Sequence, residues 1–348
     1  MNLSKISKKR ILSVMLFFAA PAMVFVAIAQ QGVPGPAGVA PDAKWTPVKS
    51  IDFSSKHNVM IKSEDGTLTP MDVPRFESEL IAPGTWRILS DGDYAYLLEG
   101  DNEALAIDST YGSGNIREYM QSLTKKPVRY VANTHDHFDH TANDAYFDRA
   151  YMSEKTREKA TIPFQSFSGV TFPRSYPIQV VSDGYKFQLG NREVDVFIIP
   201  NHTAGGTAYL DKRERILFSG DEIFKGGISI SSAGSVAQYA RNMEKLEAHR
   251  SEYDRLATGG FGVIEAAWVD RFLANANYIL AGHEGEPVTA QQRRPQPPND
   301  TNAPIVYNRR MPRPGDGGGS PGGAPNPNLR RMTYDDCAIT YDITHVKN

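Results

Sequence analysis

Three of the chain's eight histidines fall within six positions, in the run Asn133-Thr134-His135-Asp136-His137-Phe138-Asp139-His140. Neutral imidazole nitrogen is the commonest protein ligand for a borderline divalent cation, and carboxylate oxygen suits the same ions. His135 and His137, two apart in an extended segment, can point to one side. Asp139 and His140, where a helix would begin, can point to a second centre. So polar a segment directly after a buried strand costs stability unless something binds there. Two further strand ends carry candidates: Pro200-Asn201-His202-Thr203-Ala204-Gly205-Gly206 and Ser219-Gly220-Asp221. A lone His after a strand, or a lone Gly-Asp, is ordinary loop chemistry. Following the first run in this order, His202 and Asp221 become candidates for the same site.

The elements that must position these residues alternate between strand and helix. Tyr94 to Leu98 and Ala104 to Ile107 are apolar runs split by the turn Gly100-Asp101-Asn102, which predicts a hairpin. Ile116, Tyr119, Met120 and Leu123 recur at helical spacing, with Pro127 just beyond. Val128 to Ala132 is the strand that feeds the histidine run. Val194 to Ile199, Ala208 to Leu210 and Ile216 to Phe218 are further strands, and Val236, Tyr239, Ala240, Met243 and Leu246 mark another helix. The expectation is an α/β fold with abundant antiparallel pairing.

The H-x-H-x-D-H run, then His202 in an N-H-T-x-G-G loop, then the L-F-S-G-D segment ending at Asp221, resembles the metallo-β-lactamase-fold hydrolase superfamily. Ala106-Ile107-Asp108-Ser109-Thr110-Tyr111-Gly112 resembles that family's aspartate-ended strand and glycine turn, and the resemblance covers 83–285. It implies a four-layered αββα sandwich with two metal ions at one edge of the sheets. It further implies that His135, His137 and His202 hold the first ion, that Asp139 and His140 hold the second, and that Asp221 bridges them. Zinc is the default for such nitrogen and oxygen ligation, and iron or manganese fits the same ligand types. Paired ions polarise a carbonyl or phosphoryl oxygen and make hydroxide available near neutral pH. Asp139 is then the catalytic residue, orienting that nucleophile and handling its proton. Asp108 is either a turn cap or the group that holds a ligand histidine in its tautomer.

The chain departs from the family pattern at the last ligand, usually a His in a G-H-G loop. Either Gly260, in Thr258-Gly259-Gly260-Phe261, stands where that His would be and the second metal site is weakened, or His283, in Gly282-His283-Glu284-Gly285, supplies it. His57, His249 and His345 read as surface residues. Within the superfamily, Asp221 at the bridging position sets the chain apart from most β-lactamases. No basic contacts of the glutathione-thioester type follow it. What remains is a hydrolase of a carboxylic ester, thioester or lactone. The alternatives are a β-lactamase, and a metal-binding member with weakened or lost catalysis.

Composition narrows the partners. With 38 basic and 40 acidic residues the net charge of the 348-residue chain is −2, so no nucleic-acid footprint shows, and the expected partner is a small-molecule substrate. The single cysteine, Cys337, excludes a thiolate-rich zinc site and an intramolecular disulfide. Lys5, Lys8, Lys9 and Arg10 precede an uncharged apolar stretch ending in Ala27-Ile28-Ala29, which reads as a signal peptide over 1–29 cleaved before Gln30. The mature chain is then periplasmic or secreted, without stable membrane contact. The Gly, Pro and Ala of 30–44 read as a linker, 45–287 as the folded domain, and the Pro/Gly-rich 288–331 as a flexible tail. The last segment, 332–348, either returns as an edge strand or forms nothing regular.

Overall fold

The computed structural model describes residues 57, 59–63, 65–90, 92–111, 114–160, 176–231, 234–288, 305–308 and 326–347. The signal-peptide and linker readings, and most of the tail, lie outside them. Strands β1 (Val59–Lys62) and β2 (Leu68–Pro70) pair antiparallel ahead of the main body.

A seven-stranded sheet follows in chain order: β3 (Glu77–Ala82), β4 (Thr85–Ser90), β5 (Asp93–Glu99), β6 (Ala104–Ile107), β7 (Val128–Ala132), β8 (Arg149–Met152) and β9 (Ile178–Val180). β3 to β6 form an antiparallel meander, and β6 to β9 run parallel. The second sheet has the order β10 (Lys186–Gln188), β11 (Glu193–Ile198), β12 (Thr207–Asp211), β13 (Ile216–Gly220), β15 (Arg255–Thr258) and β16 (Gly262–Glu265). The intervening β14 (Gly227–Ser229) belongs to a third sheet.

Side-chain alternation explains why the sheets stack. In β5, Tyr96 and Leu98 face the second sheet, where they meet Val194, Val196, Tyr209 and Phe218; Ala95 and Leu97 face the other way. With both faces buried, the strand reads as one continuous apolar run. The outer face packs on α1 (Ile116–Leu123) through Ile116 and Met120. Asn115 starts that helix by accepting the Glu118 N–H. Two more short helices, α2 (Phe138–Thr141) and α3 (Glu154–Ala160), flank β8 in sequence. The second sheet is covered by α4 (Val236–Glu247), through Tyr239, Met243 and Leu246, and by α5 (Ala267–Leu280), through Val269, Phe272 and Ile279. The result is the αββα sandwich.

The C-terminal region contributes more than an edge. β17 (Glu286–Pro287), β19 (Leu329–Tyr334) and β20 (Cys337–Asp342) complete the third sheet with β14, and β18 (Ile305–Asn308) pairs parallel with β1. β19 starts inside the stretch read as tail. Cys337, Ile339 and Tyr341 are buried in the cluster beneath α4 and α5, and Asn275 of α5 donates to the carbonyls of Met332 and Cys337. Among the described residues no helix is long and apolar enough to cross a membrane.

Chain direction gathers the candidate residues. β6 and β7 are parallel neighbours, so Asp108 and the histidine run emerge at the same edge. β13 and β15 are also parallel neighbours, so Asp221 and Gly259 emerge together. β11 runs in the sense of β13, being antiparallel to β12 as β13 is, and so delivers the His202 loop to that edge.

Candidate metal centre

Two groups of donor atoms converge there: His135, His137 and His202, and His135, His140 and Asp221, with the atoms of each group within 4.8 Å of one another. Asp221 Oδ2 lies 3.5 Å from His140 Nε2, 3.7 Å from His202 Nε2 and 4.0 Å from His135 Nε2. Asp139 Oδ2 is 3.9 Å from His140 Nε2. His137 presents Nδ1, 3.0 Å from His202 Nε2. All six candidate ligands therefore meet at one edge of the sandwich.

The ring orientations are fixed from behind. Asp108 sits in left-handed backbone at φ 59°, unusual for a residue other than glycine. Its Oδ1 accepts the Thr134 N–H at 2.7 Å, and its Oδ2 accepts the Thr134 hydroxyl at 2.7 Å and His140 Nδ1 at 2.9 Å. A carboxylate only accepts, so His140 Nδ1 donates and Nε2 is left to face the centre. The Thr134 hydroxyl, already donating to Asp108, accepts from His135 Nδ1 at 3.0 Å, which leaves His135 Nε2 inward as well. Asp108 makes the contacts of both roles considered for it: Oδ1 caps the Thr134 N–H, and Oδ2 holds the His140 ring.

Electrostatics follow burial. Burial, with His140, His137 and His202 beside it, holds the His135 imidazole well below the ordinary histidine range. Burial likewise pulls His202 down to about 4. Both rings are neutral near pH 7, the form that binds a cation. Burial also opposes charge on His140, yet Asp221, Asp108 and Asp139 raise it well above the ordinary histidine range, so a cation at Nε2 would take the place of a proton there. Asp221 stays ionised for the matching reason: burial works against it, and His140, His202 and His137 outweigh that.

A buried polar atom without a partner is costly. Here four residues of the centre each carry one: His135 Nε2, His140 Nε2, Asp139 Oδ1 and Asp221 Oδ1. Imidazole nitrogen and carboxylate oxygen are the donors that zinc, iron and manganese take, so the residues fit a divalent ion. His135, His137 and His202 would hold one ion, and Asp139, His140 and Asp221 a second.

The last-ligand question resolves differently from both alternatives. A Cβ on Gly259, not Gly260, would point into the centre: it would meet Asp221 Oδ1 well inside 3.0 Å and His140 Cε1 at 2.7 Å. A Cβ on Gly260 would face Phe224 instead, at 3.3 Å. The offset follows from strand alternation past Thr258, the end of β15. His283 is exposed, stacks on Tyr278 with ring centroids 3.7 Å apart, and belongs to neither donor group. No side chain from the 259–262 loop enters the centre. His57, His249 and His345 make local pairs with Asp72, Glu252 and Asp342.

Sequence reasoning missed Glu222. It is buried, its Oε2 accepts the backbone N–H of His202 at 2.9 Å, and burial pushes its carboxyl up to about 8. The only sequence signal was an acid next to Asp221, which ordinarily reads as a solvated turn residue.

The fold and the donor set together define a metallo-β-lactamase-type centre, and comparison with known proteins agrees. The model of the metallo-beta-lactamase superfamily matches residues 91–309, and the chain belongs to that superfamily. It is 31% identical over 166 residues to the 2,4-dinitroanisole O-demethylase subunit alpha of Nocardioides sp., a match covering 44% of this chain and 48% of that one. It is 26% identical to the human acyl-coenzyme A thioesterase MBLAC2, over 52% of this chain and 77% of that one. It is 25% identical to the probable polyketide biosynthesis zinc-dependent hydrolase BaeB of Bacillus velezensis, over 59% of this chain and 89% of that one. The chain thus spans about half the length of the first relative and most of the other two. Among solved structures, the mono-zinc form of the FIM-1 metallo-beta-lactamase from Pseudomonas aeruginosa superimposes with a TM-score of 0.45 at 15% identity, covering 60% of this chain and 98% of that one.

Proposed function

We propose that this chain is a metal-dependent hydrolase that cleaves a small-molecule carboxylic ester, thioester or lactone. The observation that carries the reading is the convergence of His135, His137, His202, His140 and Asp221, with Asp139 beside them, where four buried nitrogen and oxygen atoms have no hydrogen-bond partner. Relatives named as a thioesterase and a zinc-dependent hydrolase support acyl chemistry. Bound divalent ions supply Lewis acidity, which polarises a carbonyl oxygen and lowers the pKa of water toward neutrality. The chain's own residues do the rest. Asp139, half-buried with Oδ2 3.9 Å from His140 Nε2, accepts and returns a proton at its carboxylate. Asp108 and Thr134 keep the His140 and His135 rings from turning. Gly259 leaves open the face of the centre beside Asp221.

The test is metal content by elemental analysis on protein purified without chelator, followed by turnover of a panel of activated thioesters, esters and lactones before and after chelation. Two equivalents of zinc per chain and chelator-sensitive turnover are expected. Protein that neither contains nor takes up a divalent ion contradicts the reading. A second reading, a metal-binding protein with weakened or lost catalysis, is favoured by Gly259, which brings no side chain to the position beside Asp221 and His140. One tight equivalent and no turnover across the panel would establish it.

We further propose that residues 1–29 export the chain to the periplasm or the medium. The basic start, the apolar stretch and Ala27-Ile28-Ala29 support this. The mature N-terminus, read by sequencing of protein from a secreting host, should be Gln30. An intact Met1 on protein from the cytoplasmic fraction would refute it.

A further inference from the structure

We infer that Glu222 is a positioning residue that fixes the His202 loop, and through it one ligand of the three-histidine group. The inference rests on the metal reading of the centre. The loop from Pro200 to Gly205 is closed at its neck by the Ile199 N–H donating to the Gly206 carbonyl at 2.8 Å. Inside that neck the backbone N–H groups of 201–203 have no helix or strand partner. Asn201 and Thr203 are 2% and 8% exposed, so water cannot serve them. The Glu222 side chain fills the space. Its Oε2 takes the His202 N–H at 2.9 Å, and its Oε1 sits against Gly206 inside the loop. That bond satisfies a buried main-chain donor which the loop's own backbone leaves unpaired.

Two neighbours show that the space is shaped for this group. Gly206 lies so close to Glu222 Oε1 that any Cβ there would collide with it. The main chain of Glu222 is itself held, by the Tyr239 hydroxyl of α4 donating to its carbonyl at 3.3 Å. Pro200 is tied to the same helix by Asn242 Nδ2 at 2.7 Å. Because the N–H of His202 and its ring belong to one residue, fixing the first fixes the origin of the second. Asp221 and Glu222 leave the end of β13 in opposite directions, one into the centre and one into the loop. A single turn therefore sets a ligand of one group directly and a ligand of the other through the main chain.

The test compares Glu222→Met, similar in volume but without an acceptor, with Glu222→Gln, which keeps one. Zinc affinity is read by competition with a chromophoric chelator, alongside the thermal midpoint of the metal-free protein. Glu222→Met should weaken the tighter zinc by about 10–100-fold, the usual scale for removing a group that orients a ligand. Glu222→Gln should stay within a few-fold of wild type. Should Glu222→Met not fold, Gly206→Ala displaces the carboxylate by another route and should lower the affinity in the same way. A merely structural role would lower the metal-free midpoint of Glu222→Met and leave its zinc affinity at the wild-type value, and that result overturns the inference. So does Gly206→Ala with wild-type affinity, or Glu222→Gln as weak as Glu222→Met. Wild-type protein that takes up no zinc overturns the metal reading instead.

Discussion

An Asp221→Ala variant should keep the wild-type fold and lose at least about 10²–10³-fold of hydrolytic turnover, the cost of removing one preorganised electrostatic group from a reacting centre. Two features set this expectation. Among the described residues, Asp221 is the one whose carboxylate lies within 4.0 Å of ring nitrogens from both donor groups, His140 in one, His202 in the other and His135 in both. Its removal therefore affects both ion positions. Its Oδ1 makes no hydrogen bond and rests against Gly259, and its side chain is 14% exposed, so truncation opens no apolar core. Zinc content should fall with activity, since the group of His135, His140 and Asp221 then loses its carboxylate. The measurements are kcat/KM on the activated acyl panel, zinc equivalents per chain, and the thermal midpoint. A variant with a wild-type midpoint, unchanged zinc content and more than about a tenth of wild-type turnover, a loss below 1.4 kcal/mol, would remove Asp221 from the mechanism.

The site was legible where chemistry is local. Four of the six donors sit in one run, 135–140, behind a strand whose bounds are read directly from Val128 to Ala132. His202 and Asp221 were found because each follows an apolar run that the fold turns into β11 and β13. Asp108 was seen as a strand-end acid with two roles open. Only the 26-residue separation from Thr134, closed by parallel pairing of β6 and β7, shows that it plays both. Glu222 was not legible, since its partners are main-chain N–H groups, and those leave no mark in a sequence. The last-ligand position was misplaced by one residue, from Gly259 to Gly260. Two adjacent glycines carry no side-chain pattern, and which of them faces inward depends on the pleat of β15. The C-terminal hairpin was underread for a related reason. Cys337, Ile339 and Tyr341 alternate as a half-buried strand should, but their helix partners lie more than fifty residues upstream.

Arg192→Ala should lower stability by about 3–5 kcal/mol, the range for breaking one partner out of a buried ion pair. Arg192 and Asp211 are both fully buried. The guanidinium donates to Asp211 through Nε and Nη2, to the carbonyls of Gly84 and Glu99 through Nη1 at 2.7 and 3.0 Å, and to the Thr85 hydroxyl at 2.6 Å. It thus joins the start of β11 in the second sheet to β4 and β5 in the first. This end of the sandwich is opposite the metal centre, because β11 runs from Glu193 toward the His202 loop. Truncation strands Asp211 Oδ2, whose donors both come from Arg192, where water cannot reach. For a domain of this size, 3–5 kcal/mol corresponds to a thermal midpoint lower by roughly 6–20 °C. Turnover per folded molecule, measured well below that midpoint, should be unchanged, which separates this variant from Asp221→Ala. The double variant Arg192→Met/Asp211→Leu should recover much of the loss, since apolar groups of similar volume leave no buried charge unpaired. A single variant that melts within about 2 °C of wild type, under 1 kcal/mol for a chain of this length, would show that the sheets hold together at this end without the pair.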